Sequence, residues 1–505
     1  MNQLKNIKSG VFMRYHNILW DWNGTLIDDA VTSLDCVNDM LSEMGKPLIS
    51  LEQYYTYVET PIIGFYRHIL TEEELDFPTI SKSFHEAYNN RLNTTKLAYN
   101  ALNVLKSLKE NGAKQYIITA TKEESARNLT IEYSVNEYFD GIFGADNTLA
   151  ESKVERALKF FNDNNINPHD TVFIGDTLHD LETANALGVD CILVTFGHQG
   201  KAIVENSGTV TANSLDEVLN IILDERAVDF HTHSTFSDGT YTPTELINHA
   251  VEVGLSAIAL TDHDTVNGIN EAISASKGKD IEFIPGIEFS VADGTEIHII
   301  GLFIDPQNET LLDVIHKTRS QRESRMKGVI EKLQNFGFDI TYEEARHLAG
   351  GDFVGRAHIA HILMDKGYVT TIKEAFDKYI GLNKPCYVEK KEITPKDAIT
   401  AIRSAGGLAF LAHLHQTKFN FQQLDKLLCE LKSYGLNGIE GYYTEYTNEH
   451  IKEFRTLAQK HNLFYSGGSD FHGSMKPTVK LRSGYSDLHI PYSILTTLKR
   501  LKTEN

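Results

Sequence analysis

His231-Thr232-His233 with Asp238 just beyond, Asp262-His263-Asp264, Glu288, His298, His413 and Asp470-Phe471-His472 all border short apolar runs in the second half of the sequence. Those runs are 227–230, 256–260, 281–284, 299–303, 408–412 and 463–466. Imidazole and carboxylate are the donors that borderline divalent metals take. Clustered divalent ions are a standard means of attacking a phosphate ester. An isolated histidine is more often a satisfied structural residue. Nine suitable residues in succession at strand ends (His231, His233, Asp238, His263, Glu288, His298, His413, Asp470 and His472) favour a metal cluster.

Holding these side chains together is a task for the intervening elements. Short apolar runs that alternate with helical stretches predict parallel strands, and a parallel barrel gathers its strand ends at one face. The rhythm is broken from about 306 to 397, where the text turns helical. A helical insertion overhanging the active face is expected there. In it Arg319, Arg322 and Arg325 recur every third residue and share one helix face. That face either contacts substrate or is simply solvated, and the spacing does not decide between the two.

The first half carries a second chemical arrangement. A strand over 17–20 runs into Asp21-Trp22-Asn23-Gly24-Thr25, a largely helical stretch covers about 30–109, and strands follow at 114–118, 171–174 and 191–195. Thr119 ends one of these strands, Lys153 precedes a helix, and Gly175-Asp176-Thr177-Leu178-His179-Asp180 follows another. A helix over 215–223 closes the half, and the seam falls near Asp224-Glu225-Arg226.

With 505 residues, two domains or more are expected. A formal charge of −21 argues against general binding to duplex DNA or a membrane surface. Cys36, Cys191, Cys386 and Cys429 form no CxxC pair and read as reduced thiols. No apolar run is long enough to span a bilayer, and residues 1–14 lack a signal-peptide core. The expectation is a soluble cytoplasmic protein.

The two motif sets also resemble known families. Asp21-Trp22-Asn23-Gly24-Thr25-Leu26, Thr119, Lys153 and Asp176 through Asp180 resemble the haloacid dehalogenase (HAD) superfamily, whose first motif is normally DxDGT. The resemblance implies a Rossmann-like core with a small helical cap, over 1–225 with the cap at about 30–109, and Mg²⁺ as cofactor. It also implies Asp21 as a carboxylate nucleophile, Asp176 and Asp180 as residues that help hold the Mg²⁺, and Thr119 and Lys153 as contacts to the phosphoryl oxygens. Asn23 departs from it, standing where phosphatases of this family carry the aspartate that protonates the leaving group. A carboxamide cannot shuttle a proton, a function typically worth about 10²–10⁴ in rate. Either the substrate has a good leaving group, or another group supplies the proton, or the domain binds without catalysis.

The second set resembles the PHP (polymerase and histidinol phosphatase) superfamily. Residues 231–240, 285–290 and Gly355-Arg356-Ala357-His358-Ile359-Ala360 look like its branch of nucleoside 3′,5′-bisphosphate phosphatases and 5′-to-3′ exoribonucleases. The resemblance implies a distorted (β/α)7 barrel over 226–505, with the helical insertion at about 306–397, and two or three Mn, Fe or Zn ions. One ion would take His231, His233, Glu288 and Asp470. A second would share Glu288 and add His298 and His413, and a third would take Asp238, His263 and His472. Arg356 and His358 would touch phosphate, Glu288 and Asp470 would be catalytic (as Asp21 would be in the first half), and Glu440 could orient a ligand. Leu414 stands where the family usually has proline. The implied substrate is a small nucleotide or short RNA, with a histidinol-phosphate-type phosphatase as the weaker alternative. Oligomeric state is open.

Overall fold

The computed structural model describes residues 13–59, 61–145, 153–292, 296–349, 354–389, 393–485 and 487–504. The segment 1–12, where a signal peptide was not expected, lies outside the described residues. The chain divides into two compact units, one of residues 1–225 with 447–464, the other of 226–446 with 465–505.

The first unit is built on a six-stranded sheet. Its order is Gly141–Ala145, Lys114–Lys122, Asn17–Trp20, Thr171–Gly175, Asp190–Val194 and Val210–Ala212, every neighbour parallel. The strand Asn17–Trp20 is buried along its whole length, as a central parallel strand covered on both faces must be. Register explains the site. Trp20 pairs with Ile117 on one side and Ile174 on the other, so Asp21, Thr119 and Asp176 emerge at one edge. The cap helices Ala30–Glu43, Leu51–Tyr57, Ile63–Arg67 and Phe77–Asn89 share a hydrophobic core of their own, around Leu41, Tyr54 and Phe65. A two-stranded pairing of Ile27–Asp28 with Lys96–Leu97 bounds them. Within this unit the helix Asn448–Lys460 is fixed by buried Arg455, which donates to Val189 O at 2.7 Å and to Asp190 Oδ1 at 2.9 Å.

The second unit is a sheet of eight strands, in the order Phe464–Gly468, Gly438–Tyr443, Leu408–Leu411, Glu296–Leu302, Glu282–Ala292, Leu255–Leu260, Ala227–Asp229 and Ile490–Pro491. It curls on itself: Phe230 N donates to Gly467 O at 3.0 Å and Asp470 N to His231 O at 2.8 Å. The barrel is not wholly parallel. Glu282–Ala292 and Glu296–Leu302 pair antiparallel, and the second of these pairs antiparallel with Leu408–Leu411. Only three residues join the first pair, too few for the crossover a parallel pair requires. The flanking helices start where their sequences dictate. Thr242-Pro243 with Glu245, and Thr394-Pro395 with Asp397, each form a capping box with proline in the first turn.

The expected insertion is helical. Glu309–Asn335, Tyr342–Leu348, Arg356–Asp365 and Ile372–Ala375 are helices, and Phe376–Ile380 is a π-helical turn. They close around a separate core that includes Val329, Leu333, Ile359, Leu363 and Cys386. Among the described residues no helix is long and apolar enough to cross a membrane.

Gly468 shows how closely the fold holds its site. A Cβ there would lie 2.1 Å from His231 Cβ and 2.5 Å from His231 N. Gly468→Ala must therefore displace the His231 strand. We expect a fall in thermal midpoint together with loss of bound metal, read by calorimetry and by metal analysis of the same sample.

Candidate metal centres

In the second unit, Glu288 is the hub. Antiparallel register sets Ser290 opposite His298, and alternation keeps Glu288 on the same face as both. Glu288 Oε1 lies 2.8 Å from His298 Nδ1 and 3.0 Å from His413 Nε2. Its Oε2 lies 3.3 Å from Nε2 of both His231 and His233 and 3.1 Å from His263 Nδ1. Asp470 Oδ1 stands 3.5 and 3.3 Å from the same two Nε2 atoms. Asp238 and His472 complete the far side, Oδ1 to Nε2 at 3.2 Å.

Three groups of potential ligand atoms lie within 4.8 Å of one another: His233, Asp238, His263 and His472; His231, His233 and Glu288; His263, Glu288 and His298. All nine expected side chains are thus brought to one place. Their partition is more shared than three separate sets, with His233 and His263 each standing in two groups.

The donor set fits divalent metal. His231 Nε2, His233 Nε2, Asp238 Oδ1 and Glu288 Oε2 are buried without a hydrogen-bond partner, a costly state that a cation would relieve. Burial opposes ionisation of Glu288, but the imidazoles of His263, His231 and His298 hold it well below the usual carboxylate range. Asp470 is likewise held low, by His231 and His472 against its burial. Burial pulls His263 well below the usual imidazole range, leaving it neutral for ligation.

Residues behind the ligands aim them. Glu440, fully buried, receives His231 Nδ1–H on Oε1 at 2.9 Å and His413 N–H on Oε2 at 2.7 Å. His231 Nε2 is thereby turned to the cluster, the orientation anticipated for Glu440. Asp262 accepts from Ser234 N, Ser234 Oγ and Ser237 Oγ at 2.6–2.7 Å and so pins the His231–Asp238 loop. Asp264, His413 and Asp470 have positive φ (52°, 26° and 58°), backbone strain gathered at the ligand loops. Leu414 N donates to Tyr446 Oη at 2.9 Å, a bond that a proline there could not make.

Sequence reasoning passed over Tyr443 and Lys476, which both donate to Asp470 Oδ2, at 2.8 and 2.5 Å. The only signal was a lysine four residues after His472. Arg356 and His358 stand outside the cluster. Arg356 Nη1 donates to Ile380 O at 3.3 Å with its guanidinium over Phe376, and His358 Nδ1 accepts from Gly355 N at 3.1 Å. The three arginines divide. Arg319 and Arg322 line a small cavity beside His263, with Phe236, Thr265 and Tyr342, and Arg322 pairs with Asp264. Arg325 donates to Val388 O at 3.0 Å.

In the first unit Asp21, Asp176 and Asp180 form a buried triad within the same 4.8 Å limit. Lys153 Nζ donates to Asp21 Oδ1 and, at 2.6 Å, to Asp180 Oδ1. Burial pushes Asp21 up to about 6 and Asp176 to about 8, with the neighbouring carboxylates adding to both. One ammonium does not neutralise three such acids, and a hard divalent cation fits the oxygen donors. Gly24 has φ +73°, and a Cβ there would lie 2.2 Å from Asp176 Oδ2, so the turn needs glycine. Thr119 is buried, its Oγ1 accepting from Thr121 N at 3.1 Å. Residue 23 also meets side chains that the sequence did not single out. Asp29, almost fully buried, accepts from Asn23, Gly24 N, Tyr88 and His198.

Comparison with known proteins agrees with this division. Residues 18–194 match the haloacid dehalogenase-like hydrolases and residues 229–391 the PHP domain. A 5′-3′ exoribonuclease of Haemophilus influenzae is 36% identical over 245 residues, 48% of this chain and 89% of its own length. A 3′,5′-nucleoside bisphosphate phosphatase of Chromobacterium violaceum is 34% identical over 247 residues, 48% of this chain and 87% of its own. A phosphoglycolate phosphatase of Pseudomonas aeruginosa is 28% identical over 248 residues, 47% of this chain and 88% of its own.

Two substitutions separate the hub from its support. Glu288→Gln should lower metal content per chain by more than one ion, because its two oxygens face different ligand groups. Glu440→Ala should keep the fold and weaken metal affinity by about 10–100-fold, measured by chelator competition.

Proposed function

Because the chain belongs to the PHP family through its second half, with a haloacid dehalogenase-like hydrolase domain ahead of it, we propose that its main activity is metal-dependent hydrolysis of small nucleotide phosphates. Nucleoside 3′,5′-bisphosphates are the preferred substrates, with short oligoribonucleotides trimmed from the 5′ end as the related activity. The observation that carries this reading is the convergence of five histidines, His231, His233, His263, His298 and His413, on Glu288. The names of the relatives, an exoribonuclease and a bisphosphate phosphatase, supply the substrate class.

His231, His233, Glu288 and Asp470 would hold one ion, Glu288, His298 and His413 a second, and Asp238, His263 and His472 a third. Their nitrogen and oxygen donors suit Mn, Fe or Zn. Bound ions supply positive charge against the phosphoryl oxygens and activate water. The protein's own groups do the rest. Glu440 and the Asp470 O to His472 Nδ1 contact, 2.8 Å, fix ring orientations before substrate arrives. Arg319 and Arg322 set guanidinium groups along the cavity beside His263, where a substrate phosphate would be met. Phe236 and Tyr342 border the same cavity and offer a nucleobase an aromatic face. A net charge of −21 disfavours long polyanions and leaves the site to short ones.

In the first unit Asp21, Asp176 and Asp180 would hold Mg²⁺, and Lys153 would keep Asp21 oriented. The cytoplasm is the compartment this reading assumes.

Phosphate release from adenosine 3′,5′-bisphosphate and 5′-AMP, and mononucleotide release from a short 5′-phosphorylated RNA, test the main activity. Turnover of the bisphosphate by Mn-loaded protein, lost in His413→Ala, is expected. Absence of turnover on all three substrates with Mn, Zn and Fe would contradict it. Arg356→Lys should lower kcat/KM at least about tenfold with metal content unchanged, since the planar fork is lost. An unchanged kcat/KM would leave Arg356 with only its contacts to Ile380 and Phe376.

A further inference from the structure

Asn23 is held on every side. Its Nδ2 donates to Asp29 Oδ2 at 2.7 Å and to Tyr88 Oη at 2.9 Å, and its Oδ1 accepts from Thr121 Oγ1 at 2.5 Å. Asp29 has no spare capacity to welcome a second carboxylate. Its Oδ2 also accepts from Tyr88 Oη at 2.6 Å, while Oδ1 accepts from Gly24 N at 2.8 Å and faces His198 Nε2 at 3.1 Å. Only 1% of Asp29 is exposed, so solvent does not screen it. An aspartate at position 23 would aim an oxygen at Asp29 Oδ2 where the amide now donates. A part-buried and a buried carboxylate at hydrogen-bond distance repel, and removing the donor would leave Asp29 one partner short.

We propose that Asn23 is retained as the obligatory partner of Asp29, and that the first-domain site therefore takes phosphoryl groups from donors whose leaving group departs without a proton, acyl phosphates foremost. This rests on the reading of Asp21 as the nucleophile. In the first step an Asp21 Oδ bonds to phosphorus as the bond from phosphorus to the acyl oxygen breaks. The electron pair leaves with a carboxylate, which is stable unprotonated. Water then adds to phosphorus, the bond to Asp21 breaks with its electron pair returning to the aspartate, and the water proton passes to phosphate or solvent. No side chain at position 23 draws that proton, so the second step is the slower and the phosphorylated Asp21 accumulates. An alkyl phosphate fails at the first step, because an alkoxide needs the proton that Asn23 cannot give.

The argument makes position 29 the key to position 23. In the full chain, Asn23→Asp alone should lower the thermal midpoint and give no gain on glycerol phosphate. The double variant Asn23→Asp with Asp29→Asn exchanges carboxylate and carboxamide in place. It should recover the midpoint and raise glycerol-phosphate hydrolysis by about 10²-fold. Asp21→Asn, measured alongside, is subtracted as the background from the second domain. Wild-type protein mixed with acetyl phosphate and Mg²⁺ should show one added phosphoryl group by intact mass, absent in Asp21→Asn. This readout stands even where the double variant does not fold.

A gain from Asn23→Asp alone at unchanged midpoint would overturn the pairing with Asp29. Wild type as fast on glycerol phosphate as on acetyl phosphate would overturn the leaving-group argument, as would wild type inert to acetyl phosphate. If Asp21→Asn keeps wild-type turnover of acetyl phosphate, the nucleophile reading itself fails, a result separable from the others.

Discussion

Charge compensation inside a closed space governs this molecule. Around Glu288, carboxylates and imidazoles are packed at 2.8–3.5 Å with several buried donor and acceptor atoms left without hydrogen bonds. A hydrophobic protein interior does not sustain such a cluster by itself, since a buried polar group without a partner costs about 1–3 kcal/mol and a charge more. Divalent cations would satisfy the cluster, and the surrounding architecture reads as the means of holding it ready for them. The curled sheet closes through Phe230 and Asp470. Glu440 is spent on aiming two histidines, and three ligand loops carry positive φ.

The chain holds two candidate metal-binding arrangements of different chemical character. The second half assembles histidines with carboxylates, a borderline donor set. The first assembles three carboxylates and one lysine, a hard oxygen set. In the first site parallel strands deliver Asp21 and Asp176 to one edge; the second combines a parallel bridge of Thr232 with Phe471 and an antiparallel pair that sets Glu288 on the face of His298. The two arrangements then part at single positions, Glu288 as the hub of one and Asn23 as a neutral residue in the other.

Much of this was legible in the sequence because ligands at strand ends are tied to the strands' own pattern. Asn17–Trp20 and Thr171–Gly175 announce themselves by apolar runs, and Asp21 and Asp176 follow directly. The metal-capable residues of the second half could be named for the same reason. What escaped was set by tertiary packing. The antiparallel return of Glu296–Leu302 looks, one residue at a time, like any buried strand. Residues 447–464 read as part of the second half, yet they join the first unit through contacts such as Arg455 with Asp190. Asp29, Tyr88 and His198 are far apart in sequence; the first two meet Asn23, and His198 meets Asp29, only in the folded unit. Lys476 and Tyr443 show their place on Asp470 only in three dimensions.

Anomalous diffraction from crystals of the full chain, recorded at the Mn, Fe and Zn absorption edges, tests the central claim most directly. The account predicts peaks within bonding distance of Glu288 and of His231, His233, His263, His298, His413 and His472. Crystals grown with saturating metal that show no peak beside Glu288, with all these side chains in place, would contradict it.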